Sequence, residues 1–377
     1  MDWSYDDDQQ ALRELARKML EELAPHERLK QVEATDERVD RRLWTELAKA
    51  NLLGLPFAEA YGGSGLGLVE LAILLEEVGR AVAPVPVFET VLLAGLPIAE
   101  LGSEAQKRRY LPRIASGEVI LTGALSEPLA DDPEAAHTSA RRDGDGWVLD
   151  GRKGLVPAVH VAERVLVPAA AADGIGLFLL DPRAAGVTSV RQEVTSRAPH
   201  FVLELAGARV SADDVLVAPG ARREAARWLR ERATAGVCAM AVGVAERALQ
   251  LTAEYTSQRR QFGRPIGSFQ AVHQRAGDAY IDVQAMRLTL APAVHRLAHG
   301  DDAEDALAVA KFWAAEGGNR VTYAAQHLHG GIGVDLDYPL HRYYLWARQL
   351  ALTLGSATPQ LVRIGEAIAA GRAGKAA

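Results

Sequence analysis

The sequence predicts an α+β chain in three consecutive parts: an N-terminal α-helical domain (1–118), a middle β-domain built as a small barrel or sandwich (119–224), and a C-terminal four-helix bundle (225–377). Three observations carry this reading. Apolar residues in the first third recur at three- and four-residue spacings. Near Val119 the pattern changes to short β-type runs separated by turn residues. From Trp228 the helical period returns, in segments long enough to bundle.

Leu12, Leu15, Ala16, Met19, Leu20 and Leu23 mark one apolar stripe and hence the first helix. A second amphipathic run, Leu43 through Leu53, stops at Gly54 and Pro56. Residues 65–82 are apolar on nearly all sides and predict a buried helix; 86–101 and 103–116 predict two more. Then come VILTGAL, RRDGDGWVLDGRKG, ERVLVPA, GIGLFLLD, GVTSV and FVLELAGARV, five or six strands of a small all-β unit. DGDG within them is a hairpin-type turn. VAPGARRE (217–224) is the exit linker. Helices follow at about 228–258, 268–298, 302–328 and 336–352, with a last one after Pro359. Ala235, Gly236, Ala239 and Gly243 in the first of these allow close helix approach. DDAED (301–305) is an acidic start that suits a helix N-terminus, and AGRAGKAA is a frayed tail.

Composition narrows the function. Of 377 residues, 42 are Lys or Arg and 49 Asp or Glu, a net charge of −7 that argues against a nucleic-acid binder. The lone cysteine, Cys238, rules out an intrachain disulfide and a cysteine metal cluster; on a face of small residues it is buried and inert. No 18-residue apolar run and no signal h-region is present, so the expectation is a cytoplasmic protein without a membrane partner. Aromatics are sparse, at 6%.

Three segments say more. SQRRQFGRPIGSFQ (257–270) puts arginines beside a chain reversal, a good place for an anion or a pyrophosphate, or simply a solvated basic loop. In QHLHGGIGVDLDYPLHRYY (326–344) a Gly-Gly pair lets backbone approach a ligand, while His327 and His329 lack the carboxylates or cysteines a metal site needs. PFAEAYGGSG (56–65) is a structural turn, and Glu246 and Arg247 in GVAERAL are expected to make i,i+4 surface pairs or to pack rather than to take part in catalysis.

Together these segments resemble the acyl-CoA dehydrogenase family, over essentially the whole chain. RRQFGRPIGSFQ and HGGIG are its specific signatures, and AEAYGG and ALSEP (124–128) add support. GRAVAPVPV and DYPLHRYY are similar in style to the actinobacterial branch that oxidises steroid and other bulky acyl-CoA esters. The resemblance implies an FAD-dependent, acyl-CoA dehydrogenase-like fold whose members desaturate an acyl-CoA thioester. A glutamate takes the α proton there, the β hydride goes to the flavin, and an electron-transfer flavoprotein or similar acceptor takes the electrons.

Position by position, the match divides. The usual glutamate after the fourth bundle helix falls on Ser356, and the alternative early in the first falls on Ala233. Glu231 is two residues from Ala233, about 200° round a helix, so it is a weak candidate for the base. Where the family sets an aromatic residue and a threonine against the flavin ring, this chain has Leu155 and Pro157; Ser126 alone matches. By contrast Arg259 and Phe262 match residues that reach the pyrophosphate and adenine of a neighbour's FAD, and Gly330 and Gly331 approach the same cofactor. His327 stands where the family has a glutamine, with Gln326 beside it. The expectation is the non-catalytic subunit of an α2β2 heteromer, paired with a homologous chain that carries the glutamate and sharing its FAD. A stand-alone homo-oligomeric dehydrogenase with an atypical base, and a flavin-free scaffold with the same fold, are the alternatives.

Overall fold

A computed structural model of the chain describes residues 4–128, 130 and 132–371; the tail from 372 onward lies outside the described residues. The order is helical, then sheet, then helical. The first helices are α1 (Asp7–Leu23), α2 (His26–Glu33), α3 (Arg41–Lys49), α4 (Leu68–Arg80), α5 (Leu96–Leu101) and α6 (Glu104–Ala115), with a π-helical segment Phe88–Gly95 running into α5. Strands β1 (Leu121–Gly123), β2 (Ser139–Asp143), β3 (Gly146–Pro157), β4 (Arg164–Ala171), β5 (Gly174–Leu180), β6 (Val187–Gln192), β7 (His200–Val210) and β8 (Val215–Val217) follow. Then come α7 (Ala225–Gln258), the two-residue strands β9 (Arg260–Gln261) and β10 (Arg264–Pro265), α8 (Gln270–His299), α9 (Glu304–His329), α10 (Leu340–Leu352) and α11 (Ala357–Ala369). Among the described residues no helix is long and apolar enough to cross a membrane.

Two compact units divide these elements. One gathers Met1–Lys30, Ala72–Ala83 and Thr234–Ala377. Its first helix starts on a capping box: Asp6 accepts the Gln9 N–H at 2.8 Å, and the Gln9 side chain returns to the Asp6 N–H. Within the bundle α9 packs against α8, α10 and α11. A β-carbon at Gly243 of α7 would collide with the Glu76 carbonyl, and one at Gly79 with the backbone of Met240. The small residues foreseen on α7 therefore do bring backbones into contact. α4 corrects the apolar reading of residues 65–82: Glu76 and Glu77 lie on it, both buried. Glu77 takes Arg17 in a fork at 2.7 and 3.0 Å, and Glu76 takes Arg287 at 2.8 Å. Glu246 belongs to the same cluster, 3.2 Å from Arg287, and Arg247 reaches Glu254 at 3.2 Å. Of the two alternatives for these residues the i,i+4 spacing is not the one used: Glu246 packs toward α8 and Arg247 reaches seven residues along α7.

The other unit comprises Gln31–Leu71 and Pro84–Ala233. Asp40 caps α3 through the N–H groups of Arg42 and Leu43, both at 3.1 Å, and Trp44 Nε1 donates to the Gly117 carbonyl at 2.9 Å. Among the described residues the sheet has eight strands in the order β6-β7-β3-β2-β4-β5-β8, with β1 alongside β4. The sequence count of five or six was low because the run RRDGDGWVLDGRKG spans parts of two strands, β2 and β3, and because β8, three residues long, is too short for alternation to register. DGDG does close a two-residue hairpin: Asp143 pairs with Gly146, and Gly144 supplies φ 64°. The sheet core is built on Leu149, Val165, Val167, Phe178, Leu180 and Leu203.

Candidate functional site

In the sheet unit the candidate residues gather at an irregularity of β3. Its ladder with β7 slips between Lys153 and Val156, a bulge that lifts Gly154 and Leu155 out of the pairing. Leu155 is left with φ 52° and a 44% exposed side chain. A left-handed leucine costs about 1–2 kcal/mol. The Gly154 N–H donates to the Ser126 carbonyl at 3.0 Å, and the Leu155 N–H donates to Gln192 Oε1 at 2.9 Å. A hollow of about 430 Å³ opens here, with Ser126, Leu155 and Gln192 on its walls. Pro157, in register with His200, has no N–H to offer, and its carbonyl accepts the Thr122 hydroxyl at 2.8 Å.

Beneath the hollow lies a buried ion pair that the sequence reading missed. Lys153, with no exposed surface, gives Nζ to Glu127 at 2.6 Å, and Glu127 also accepts the N–H groups of His137 (2.6 Å) and Thr138 (3.0 Å). Burial alone raises the Glu127 carboxyl; the Lys153 ammonium and these N–H groups outweigh it and hold the group below its usual range. Burial pulls Lys153 down from its ordinary value, but at this geometry the pair is ionised at neutral pH. A lysine inside an alternating strand, RKG, was the signal available.

In the helical unit, α7 ends at Gln258 and the expected chain reversal at RRQFG takes the form of a tight hairpin. Gln261 pairs with Arg264 across Phe262 (φ 52°) and Gly263 (φ 80°). Phe262 at its tip is 92% exposed, edge-on to Phe269 at 6.2 Å, and Arg264 lies 4.2 Å over the Phe269 ring. Arg259 is exposed, and its carbonyl accepts the Ile266 N–H at 2.8 Å, pinning the hairpin base.

The HGGIG segment closes α9. Gly330 has φ 64° and ψ −142°, a conformation reserved for glycine, and a β-carbon on Gly330 or Gly331 would meet open space. His327 is exposed. Gln326 points inward, and its Oε1 is buried with no hydrogen-bond donor. His329 is a core residue: Nδ1 pairs with the Ala325 carbonyl at 2.8 Å, Nε2 with the Tyr338 hydroxyl at 3.1 Å, and the ring stacks on Tyr255 at 4.4 Å.

The three base candidates offer little. Ala233 is fully buried and has only a methyl group. Glu231 lies 3.8 Å from Arg227 on the same helix. Ser356 sits at the N-cap of α11 without making a side-chain cap bond, after a turn in which Leu354 (φ 57°) and Gly355 (φ 93°) are both left-handed.

Comparison with known proteins accounts for this arrangement. Residues 6–118 match the model of the acyl-CoA dehydrogenase N-terminal domain, and residues 218–369 that of the acyl-CoA dehydrogenase C-terminal domain. The chain is 38% identical to acyl-CoA dehydrogenase FadE27 of Mycobacterium tuberculosis, covering 98% of this chain and 99% of that one. Among solved structures it is similar to a chain of a variant of the Tcur3481-Tcur3483 steroid ACAD, with TM-score 0.91, 45% identity and coverage of 97% and 99%. It is likewise similar to a chain of the ChsE4-ChsE5 complex from Mycobacterium tuberculosis, with TM-score 0.92, 38% identity and coverage of 98% and 99%.

Proposed function

The chain belongs to the acyl-CoA dehydrogenase family, and from that premise we propose that it is the non-catalytic subunit of a heteromeric, FAD-dependent member. The observation that carries the reading is the chemistry at the two base positions. Removing a weakly acidic α proton requires a carboxylate, and a methyl group at Ala233 and a hydroxyl at Ser356 stand there instead.

The fit to FAD divides the same way. At the β3 bulge the residues do not fit the flavin ring. The Leu155 N–H is already committed to Gln192, Pro157 has no donor, and no aromatic face is offered. The other side fits the cofactor's distal half. Arg259 would pair with the pyrophosphate, exposed Phe262 would lie against the adenine, and the bare backbone of Gly330 and Gly331 admits close approach. Gln326 and His327 stand beside them. When bound, FAD supplies the acceptor for the β hydride. This chain's part is to hold and orient it while the partner holds the ring.

The partner is then a homologous chain with a glutamate where this one has Ser356, two such pairs making α2β2. The substrate is an acyl-CoA ester of the bulky, steroid-like type, and the electrons leave through an electron-transfer flavoprotein or similar acceptor. Two relatives whose structures are complexes of two differently named chains support this. Co-expression with candidate partners followed by flavin counting tests it. One FAD per two chains is expected; a full complement on this chain alone overturns it.

A further inference from the structure

We propose that the cavity lined by α1, α2, α4, α7 and α10 is a binding site for a phosphate-type dianion. It encloses about 470 Å³ and lies wholly within the unit that gathers Met1–Lys30, Ala72–Ala83 and Thr234–Ala377. It shares no residue with the cofactor contacts proposed above, so it stands or falls separately.

Charge is the first argument. Arg17, Arg80, Arg247 and Arg342 line the cavity against three carboxylates, Glu21, Glu77 and Glu254; four minus three leaves one positive charge in excess. Glu77 is also shared with a cation outside the lining: besides the Arg17 fork it accepts Arg13 Nε at 3.2 Å.

Unanswered donors are the second. Arg80 is 7% exposed and gives Nη2 to Gln250 at 2.6 Å, yet its Nε has no hydrogen-bond acceptor, the Glu77 carboxylate standing 3.8 Å away. Arg342, 4% exposed, sets Nη1 2.8 Å from His26 Nδ1. An imidazole nitrogen that accepts from a guanidinium leaves the ring proton on the other nitrogen. The Nε2–H of His26 is therefore a donor, and it too is buried without an acceptor in hydrogen-bond geometry, although the Asp337 backbone is near enough to act on the ring. A network built only to neutralise itself would place an oxygen against both Arg80 Nε and His26 Nε2, because a buried, unanswered donor costs about 1–3 kcal/mol.

Third, two helices begin on these walls, α2 at His26 and α10 just after Pro339. Their first-turn N–H groups present the positive ends of two dipoles. Guanidinium groups from four elements approach from different sides. That suits a tetrahedral ion with several acceptor oxygens better than a planar carboxylate held by one fork.

The test titrates the full chain with inorganic phosphate and, separately, with sodium chloride at matched ionic strength, reading Tm and 31P line width. Saturable stabilisation and broadening by phosphate, absent with chloride, are expected. Arg247→Gln and His26→Ala, both at partly accessible positions, are expected to weaken phosphate binding at least tenfold with unchanged circular dichroism. Chloride matching phosphate, or folded variants binding phosphate as well as the parent, overturns the proposal. Should a variant fail to fold, the phosphate-against-chloride comparison on the parent still decides. Adenosine monophosphate distinguishes sources: tighter binding than phosphate marks an organic phosphate ligand, equal or weaker binding the free ion.

Discussion

The backbone N–H of Leu155 donates to Gln192 Oε1 at 2.9 Å, so the donor exposed by the β3 bulge is answered by the chain's own side chain. A bulge of this kind re-aims backbone groups toward a ligand; here Gln192, at the end of β6, takes the ligand's place. Gln192→Ala should destabilise the folded chain by about 0.5–1.5 kcal/mol, the value of one ordinary hydrogen bond, measured by urea unfolding. Flavin content of the assembled heteromer should not change. A loss of flavin would show that this bulge holds the ring after all.

The RRQFG hairpin should behave in the opposite way. Arg259 is exposed and Phe262, 92% exposed, meets only the edge of Phe269, so neither is packed into the core of the isolated chain. Phe262→Ala and Arg259→Ala are expected to alter its stability by no more than about 0.5 kcal/mol. Each should nevertheless lower the flavin content of the co-expressed complex. A drop in Tm of the isolated chain, with flavin unchanged, would make the hairpin merely a helix connector.

Glu127 and Lys153 predict both a mutational and an acid response. Glu127→Ala leaves a fully buried ammonium without its carboxylate, a change that costs about 3–5 kcal/mol. For pH, the Glu127 carboxyl titrates lower in the folded chain than its ordinary value of 4.5. The unfolded chain therefore binds the proton first, and the stabilisation is present above pH 4.5 and lost as pH falls through the folded value. Urea midpoints from pH 6 downward should fall more steeply for the parent than for Glu127→Gln; parallel curves would contradict the ionised pair.

How far the sequence spoke depended on range. Most helices were legible because their stripes are local, though the short α2 was not foreseen, and DGDG named its own turn. RRQFG showed its residues and its chain reversal but not the turn geometry, since nothing local announces a left-handed Phe262. Glu76 and Glu77 were lost in an apolar run because Arg17 is 60 positions from Glu77 and Arg287 is 211 from Glu76. Gln192 was invisible for the same reason, lying 37 positions from the N–H it answers. At Leu155 the chain bends left-handed at leucine although Gly154 is next to it. What was missed at the site is tertiary: which distant side chain meets which backbone group.

Glu89 supplies the last prediction. It belongs to the π-helical segment, whose residues Phe88, Thr90, Val91, Leu92, Leu93, Ala94 and Gly95 are all buried, while Glu89 itself keeps some accessible surface. Burial pushes its carboxyl from 4.5 up to about 7, and the hydrogen bond that opposes this comes from its own backbone. Because the folded value is the higher one, the folded chain holds a proton that the unfolded chain releases between pH 4.5 and about 7. Stability from this group is thus complete below pH 4.5 and lost as pH rises through about 7. The loss is roughly 3 kcal/mol. Glu89→Gln, which cannot ionise, should remove that component. Relative to the parent it should be more stable at pH 8 by about that amount, with the difference shrinking toward pH 5. Chemical denaturation of both chains from pH 5 to 8 measures it, and a difference that does not vary with pH would mean that Glu89 ionises as an ordinary surface acid.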